Sequence, residues 1–319
     1  MQQTFGVDIG NSGIRVTELL LPSRELGPML RIDWWPDERP SAQLSPTGSR
    51  RYRPDDQQWL RELDCFIAEH ERPASARSTA QPARWLISSV RRDALGVLCR
   101  HLDAGHLDFG HLDAGQVSRA PRQVQVVTHT ALPLAVQVDF PQAVGIDRLL
   151  AALSALEFVS DSRAIVIQAG SAVTVDIIHA PPSGSVPAGN ETRLELQTQT
   201  LTKSLGSFEG GAILPGVPMM LRLLGKGADQ LPQITAADLL SLPELPGKNT
   251  EAAMICGAAS ALVGGVSHLV SRYRQQYGQS IPIIISGGDG MRLRSYLTAP
   301  LIIKDHLVHR GLMRLAEMS

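Results

Sequence analysis

Cysteine is scarce in this chain and thinly spread. Cys65, Cys99 and Cys256 are the only three in 319 residues, odd in number and without a Cys-x-x-Cys pair, which excludes a disulfide-stapled secreted fold and a thiolate metal centre. They read as reduced thiols. An excess of charge of either sign is also missing, with 30 basic against 31 acidic residues, so no general polyanion-binding surface is present and no nucleic-acid partner is expected. Nor is there a long unbroken apolar run. The richest, residues 252–270, is interrupted by Gly257, Gly264, Gly265 and His268, a density of small residues that suits a closely packed core helix better than a membrane span. No charged-then-apolar leader opens the sequence, and a strand pattern begins at Thr4, so a soluble cytoplasmic protein with no membrane partner is expected.

A hydrophobic fraction of 43% is enough for buried cores, and a prior of about 150 residues per domain predicts two domains. The stretch around which they are organised lies near mid-chain. Pro141 and Gly145 bracket a turn, and Leu149-Leu150-Ala151-Ala152-Leu153 after it predicts a helix carrying Asp147 and Arg148 in its first turn. A carboxylate there can accept a proton from a substrate hydroxyl, and the guanidinium beside it can grip a carboxylate with two prongs. The same pair would serve as a helix cap with a surface arginine, so Gly-x-Asp-Arg alone leaves both readings open.

Residues 4–21 read as a hairpin, because Ile14 and Val16 alternate against Arg15 and Thr17 directly after the Gly10-Asn11-Ser12-Gly13 turn. That excludes a Rossmann or Walker loop, which needs a helix after its glycines. Asp8 ends the first strand beside a turn offering N–H groups, an amide and a hydroxyl, which suits phosphate with Mg²⁺ held through water as well as it suits an ordinary hairpin tip. Proline is dense from 22 to 83, and residues 41–53 and 72–83 are expected to be surface loops. Between them a helix starting at Asp55 and Asp56 should bury Trp59, Leu60, Leu63, Phe66 and Ile67. A strand at 85–90, a helix at 92–102 and strand-like runs at 124–128 and 134–138 complete the first half. The His-Leu-Asp repeat at 101–115 has a five-residue step that returns to one face of neither helix nor strand, so it reads as a loop and not as a metal site.

Residues 164–179 repeat the shape of 4–21: an apolar strand, a Gly170-Ser171-Ala172 turn and a second strand. The recurrence points to two related α/β domains, 1–141 and 142–319, with a cleft between them and one turn each for a shared phosphate chain. A hairpin excursion is expected over 181–200, and a strand then a helix with a proline in its first turn over 205–221. Asn249 or Thr250 is placed to cap a long helix, and the strand 282–285 ends in Gly287-Gly288, where a backbone could lie flat beside a nucleoside. A short strand at 301–303 and a helix from His309 close the chain.

In order and spacing these stretches resemble the type III pantothenate kinases of the actin-like ATPase (ASKHA) superfamily. Asp8-x-Gly10-Asn11-Ser12 is similar to the family's first phosphate motif, Asp-x-Gly-Asn-Thr, and Gly145-Ile146-Asp147-Arg148 to its Gly-x-Asp-Arg substrate motif. Gln168-x-Gly170-Ser171-Ala172 resembles its second phosphate motif, Asp-x-Gly-Thr-Ala, and Ser286-Gly287-Gly288 its adenosine turn. Gly210-Gly211-x-Ile213-x-Pro215-Gly216 and Gly247-x-Asn249-Thr250 are similar to two further segments. The resemblance implies two ribonuclease-H-like domains and ATP-dependent phosphorylation of pantothenate, the first step of coenzyme A synthesis. It also implies roles. Asp147 would be the general base, Gly145, Ile146 and Arg148 would bind pantothenate, and Asp8 would organise Mg²⁺. Gly10, Asn11, Ser12, Gly170, Ser171 and Ala172 would cradle phosphates, and Gly287 and Gly288 the nucleoside. A homodimer is implied, with Thr250 reaching the partner's substrate, and a monovalent cation, K⁺ or NH₄⁺.

Ser12 and Ser171 stand where the family has threonine, which keeps the hydroxyl. Gln168 stands where it has aspartate, and an amide oxygen carries no charge, so cation handling there should be weaker. This departure raises an alternative, an impaired homologue that binds nucleotide or pantothenate as a regulator. Another ASKHA small-molecule kinase is a third reading, which Arg148 opposes by favouring an acceptor with a carboxylate.

Overall fold

The computed structural model describes residues 2–34, 43–44, 50–72, 82–103, 122–181, 204–234, 244–288, 290–294, 296–297 and 301–319. The first sheet is built from β1 (Thr4–Gly10), β2 (Gly13–Leu20), β3 (Glu25–Trp34), β4 (Gln43–Leu44), β5 (Arg50–Tyr52), β6 (Ala83–Ser89) and β7 (Arg122–Val126). Helices α1 (Leu60–His70) and α2 (Arg92–Asp103) belong with it. The second contains β8 (Ala135–Val136), β9 (Arg163–Ala169), β10 (Ala172–His179), β11 (Ser207–Pro215), β12 (Ile283–Ser286) and β13 (Leu301–Ile303). The remaining helices are α3 (Ile146–Ala155), α4 (Val217–Gly227), α5 (Thr250–Tyr277), α6 (Gly290–Arg294) and α7 (Leu307–Glu317).

One strand order occurs twice. The first sheet contains β3-β2-β1-β6-β7 and the second β11-β10-β9-β12-β13, in each case an antiparallel meander with two strands added parallel to its first member. Two related α/β domains of the ribonuclease-H-like kind are therefore present. Strand alternation decides which residues each sheet buries. Phe5, Val7 and Ile9 pack with Leu63, Phe66, Ile67 and Leu98 of α1 and α2, and Phe5 stacks on Trp85 at 4.6 Å. In the second sheet Ile165, Ile167, Val173 and Val175 pack against Met254, Ala258, Leu262 and Val266 of α5. That helix is long and apolar enough by length and composition to cross a membrane, yet this side of it is core.

Several local expectations shift. Helix α1 starts at Leu60 and not at Asp55, because Asp56 Oδ1 accepts the Gln58 N–H and closes a turn ahead of the helix. Within the stretch 41–53, expected to be loop, β4 and β5 extend the sheet beyond β3. The run 134–138, expected to complete the first half, yields β8, which pairs with β11 in the second sheet. The excursion at 182–200, the repeat beyond Asp103, and 36–42, 45–49 and 73–81 lie outside the described residues.

By contact the chain divides into Met1–His129 with Gly145–Leu150 and Val308–Ser319, and Thr130–Val144 with Ala151–Leu307. The start of α3 and nearly all of α7 thus join the N-terminal unit. Gly311 of α7 makes this possible, since a Cβ there would lie 2.2 Å from the Leu150 carbonyl oxygen. Backbone cannot move aside as a flexible side chain can. Gly311→Ala is expected to destabilise the protein by about 1–3 kcal/mol, read as a lower urea midpoint at unchanged slope; an unchanged midpoint would mean that α7 is not held this closely.

Candidate functional site

In the N-terminal unit the site begins at the β1–β2 hairpin, whose exposed tip is Asn11-Ser12. Gly13 lets β2 enter beside β3, because a Cβ there would come 2.3 Å from the Ile32 carbonyl oxygen. Trp34 at the end of β3 donates its main-chain N–H to Ser12 O at 2.9 Å and its indole N–H to Gly10 O at 3.1 Å. Asp8, on the face opposite Val7 and Ile9, lies in one cross-strand row with Arg15 of β2 and Ser88 of β6.

Asp147 is the second residue of α3 and its carboxylate folds back over the helix start. Its Oδ1 accepts the Arg148 N–H at 2.9 Å and lies 2.4 Å from where a Cβ on residue 145 would stand, so any side chain there would displace the carboxylate. Desolvation raises the Asp147 carboxyl above the usual carboxylate range, and the Arg148 N–H and guanidinium pull it partly back. Asp8 is pushed further, up to about 7, first by desolvation and then by the charge of Asp147, which Arg15 and the Ser88 hydroxyl only partly offset. Asp8 and Asp147 therefore form one electrostatic unit. Such a pair suits a divalent cation, which takes one or two carboxylates, water and substrate phosphates. Among the described residues no group of three His, Cys, Asp or Glu converges as an all-protein cage.

In the second unit Gly170-Ser171 forms the tip between β9 and β10, and Ala172 begins β10. Gln168 occupies the place that Asp8 has in the first hairpin, in one row with Thr174 of β10 and Ser286 of β12. This row is neutral throughout. Thr174 Oγ1 is buried without a hydrogen-bond partner, and Ser286 Oγ accepts the Leu307 N–H at 3.4 Å. The tip is supported from below by main chain. Gly216 donates its N–H to Ser171 O at 2.9 Å, and a Cβ on it would lie 2.5 Å from Gly170 O. Gly287, at φ +98°, comes so close to β9 that a Cβ would sit 2.2 Å from Ala169 O, whereas Gly288 faces open space. Asn249 caps α5 by accepting the Ala252 N–H at 2.7 Å, which leaves Thr250 exposed in the first turn.

The structure thus brings Asp8, Gly10, Asn11, Ser12, Gly145, Ile146, Asp147 and Arg148 into one unit. Gln168, Gly170, Ser171, Ala172, Thr250, Gly287 and Gly288 belong to the other. Sequence reading passed over Arg15, Ser88, Trp34 and Thr174. Arg15 could have been found by counting the hairpin back from its tip; Ser88 could not, since no local turn sets the register of a parallel neighbour. Of the His-Leu-Asp repeat only 101–103 is described, and there His101 is buried with Nε2 2.9 Å from Asp64 Oδ1, a structural pair between α2 and α1.

Known proteins resemble this chain in both sequence and fold. The family model for type III pantothenate kinase matches residues 111–194 and 197–272, just over half of the chain. A type III pantothenate kinase of Rhodopirellula baltica is 29% identical over 97% of each chain. One from Kosmotoga olearia is 32% identical over 48% of this chain and 47% of its own. A solved structure from Sinorhizobium meliloti, described as a candidate 2-dehydro-3-deoxygalactonokinase, covers 99% of this chain and 96% of that one at 12% identity with a TM-score of 0.50, a likeness of fold alone.

Because the folded chain holds a proton on Asp8 that the unfolded chain releases, stability falls as pH rises from about 4 to about 7. Asp8→Asn removes that contribution. Without Mg²⁺ or nucleotide, the variant's melting temperature should match the parent's near pH ~4 and exceed it near pH ~8; a constant difference across that range would show that Asp8 titrates as an ordinary carboxylate.

Proposed function

We infer, from the premise that this chain belongs to the type III pantothenate kinase family, that it transfers the γ-phosphoryl group of ATP to the primary hydroxyl of pantothenate, the first step of coenzyme A synthesis. One observation carries the assignment of roles: the charge of Asp147, in the first turn of α3, raises the proton affinity of Asp8 on β1, so two carboxylates of the N-terminal unit are electrostatically coupled. Phosphoryl transfer asks a protein mainly for positioning and charge neutralisation, and this pair offers both.

In our reading Asp147 takes the proton from the pantothenate hydroxyl. Its raised proton affinity supports that role, since a base works best when its pKa approaches the working pH. Arg148 grips the pantothenate carboxylate, with Gly145 and Ile146 lining the acceptor beside it. Asp8 would hold Mg²⁺, which when bound would screen the charge of the phosphates. Gly10, Asn11 and Ser12 donate to the phosphates from one hairpin tip, Gly170, Ser171 and Ala172 from the other. Gly287 and Gly288 lie beside the nucleoside, which the open space at Gly288 supports.

A monovalent cation, K⁺ or NH₄⁺, belongs to the proposal, with the Gln168 amide oxygen as a weak ligand and the unpartnered Thr174 hydroxyl beside it. We also propose a homodimer in which Thr250 reaches the partner's substrate. The exposed apolar side chains of Ile213, Leu223 and Leu224, near α4 and the end of β11, support a covered surface there. A cytoplasmic location accords with a substrate and nucleotide found in the cell interior. A regulator without turnover has no counterpart among the relatives named above.

Asp147→Asn should lower kcat by about 100- to 10,000-fold with ATP affinity unchanged in a calorimeter, and near-parental turnover would remove Asp147 as the base. Arg148→Ala should instead raise KM for pantothenate by about 10- to 100-fold. An unchanged KM would point to an acceptor without a carboxylate.

A further inference from the structure

The exposed tip of the first hairpin is flanked by Gly10 and Gly13, residues with the loosest backbone preferences in the chain, so something outside the tip must set its conformation. We propose that Trp34 is a positioning residue for this turn: its indole and main-chain N–H groups hold the Gly10 and Ser12 carbonyls so that the Asn11 N–H is aimed at the nucleotide phosphates. The inference rests on the reading of Asn11 and Ser12 as phosphate donors.

Peptide planarity supplies the link. The Gly10 carbonyl and the Asn11 N–H belong to the same trans peptide and point in opposite directions. With Gly10 O turned toward the Trp34 indole at 3.1 Å, the Asn11 N–H is directed away from Trp34. Trp34 itself has little freedom. It is 4% exposed and meets Trp59 edge-on, with ring centroids 5.6 Å apart at 66°. Trp59 is fully buried immediately ahead of α1, and Trp34 pairs with Tyr52 of β5. The tip is thereby braced against the core of its unit.

The indole bond is also selective. Trp59 and Trp85 bury their Nε1 atoms without a hydrogen-bond partner, so this core does not as a rule satisfy its indoles. Among the described tryptophans, Trp34 alone donates, and its acceptor is the turn. A donor turn held in place before the phosphate arrives loses less on binding than one that must be ordered by it.

The test compares the parent with Trp34→Phe, which keeps an aromatic ring against Trp59 and removes the N–H. A second variant replaces Trp34 by 3-benzothienylalanine, which keeps the indole's shape with sulfur in place of the N–H and so guards against a folding defect in the first. The expected result in both is KM and Kd for Mg·ATP raised about 5- to 10-fold, with KM for pantothenate within about two-fold of the parent. Unchanged ATP affinity in the isosteric variant overturns the inference and leaves the kinase reading intact. Parallel loss of affinity for both substrates also overturns it, since that is general loosening. A parent chain that neither binds nor turns over ATP overturns the kinase reading, and this inference with it.

Discussion

Two carboxylates that resist being ionised together set the terms for the N-terminal unit. Asp8 and Asp147 are both partly desolvated, and the negative charge of Asp147 makes ionising Asp8 more costly. Much of the local sequence follows from accommodating that pair. Gly145 leaves the Asp147 carboxylate the space that a side chain at 145 would take. Arg148 offsets part of the charge on one member and Arg15 on the other, and neither removes it. What remains is a standing demand for positive charge, of the kind a divalent cation meets.

The second unit repeats the framework without the demand. Strand order and the strand–turn–strand hairpin recur, yet the row holding Gln168, Thr174 and Ser286 carries no charge. Its turn is shaped by main-chain approaches from Gly216 and Gly287 in place of side-chain electrostatics. One architecture thus supports two chemistries: a charged centre that can take a proton and attract a metal, and a neutral cradle of N–H and hydroxyl groups.

Legibility in the sequence followed the range of the interaction. Both hairpins could be read from alternating apolar residues on either side of a short glycine turn, and the first turn of α3 from Pro141, Gly145 and the leucines behind it, because each is specified within about ten residues. The Asn249 cap was visible for the same reason. Ser88 escaped notice because its neighbour Asp8 is a parallel partner joined through a long crossover. Trp34 drew no notice because its bond to Gly10 spans a strand pairing that no local pattern announces. Strand β8 was assigned to the wrong sheet because two residues of edge strand hold too little pattern to name a partner.

The way the second turn is built separates its shape from its chemistry. Gly216 and Gly287 touch carbonyl oxygens of residues 169–171, and backbone carbonyls are the same whichever side chains those residues carry. The support these glycines give would therefore be the same with aspartate at 168 or threonine at 171. The shape of this turn is thus carried by glycines far from it in sequence, whatever acidic or hydroxyl side chains it presents.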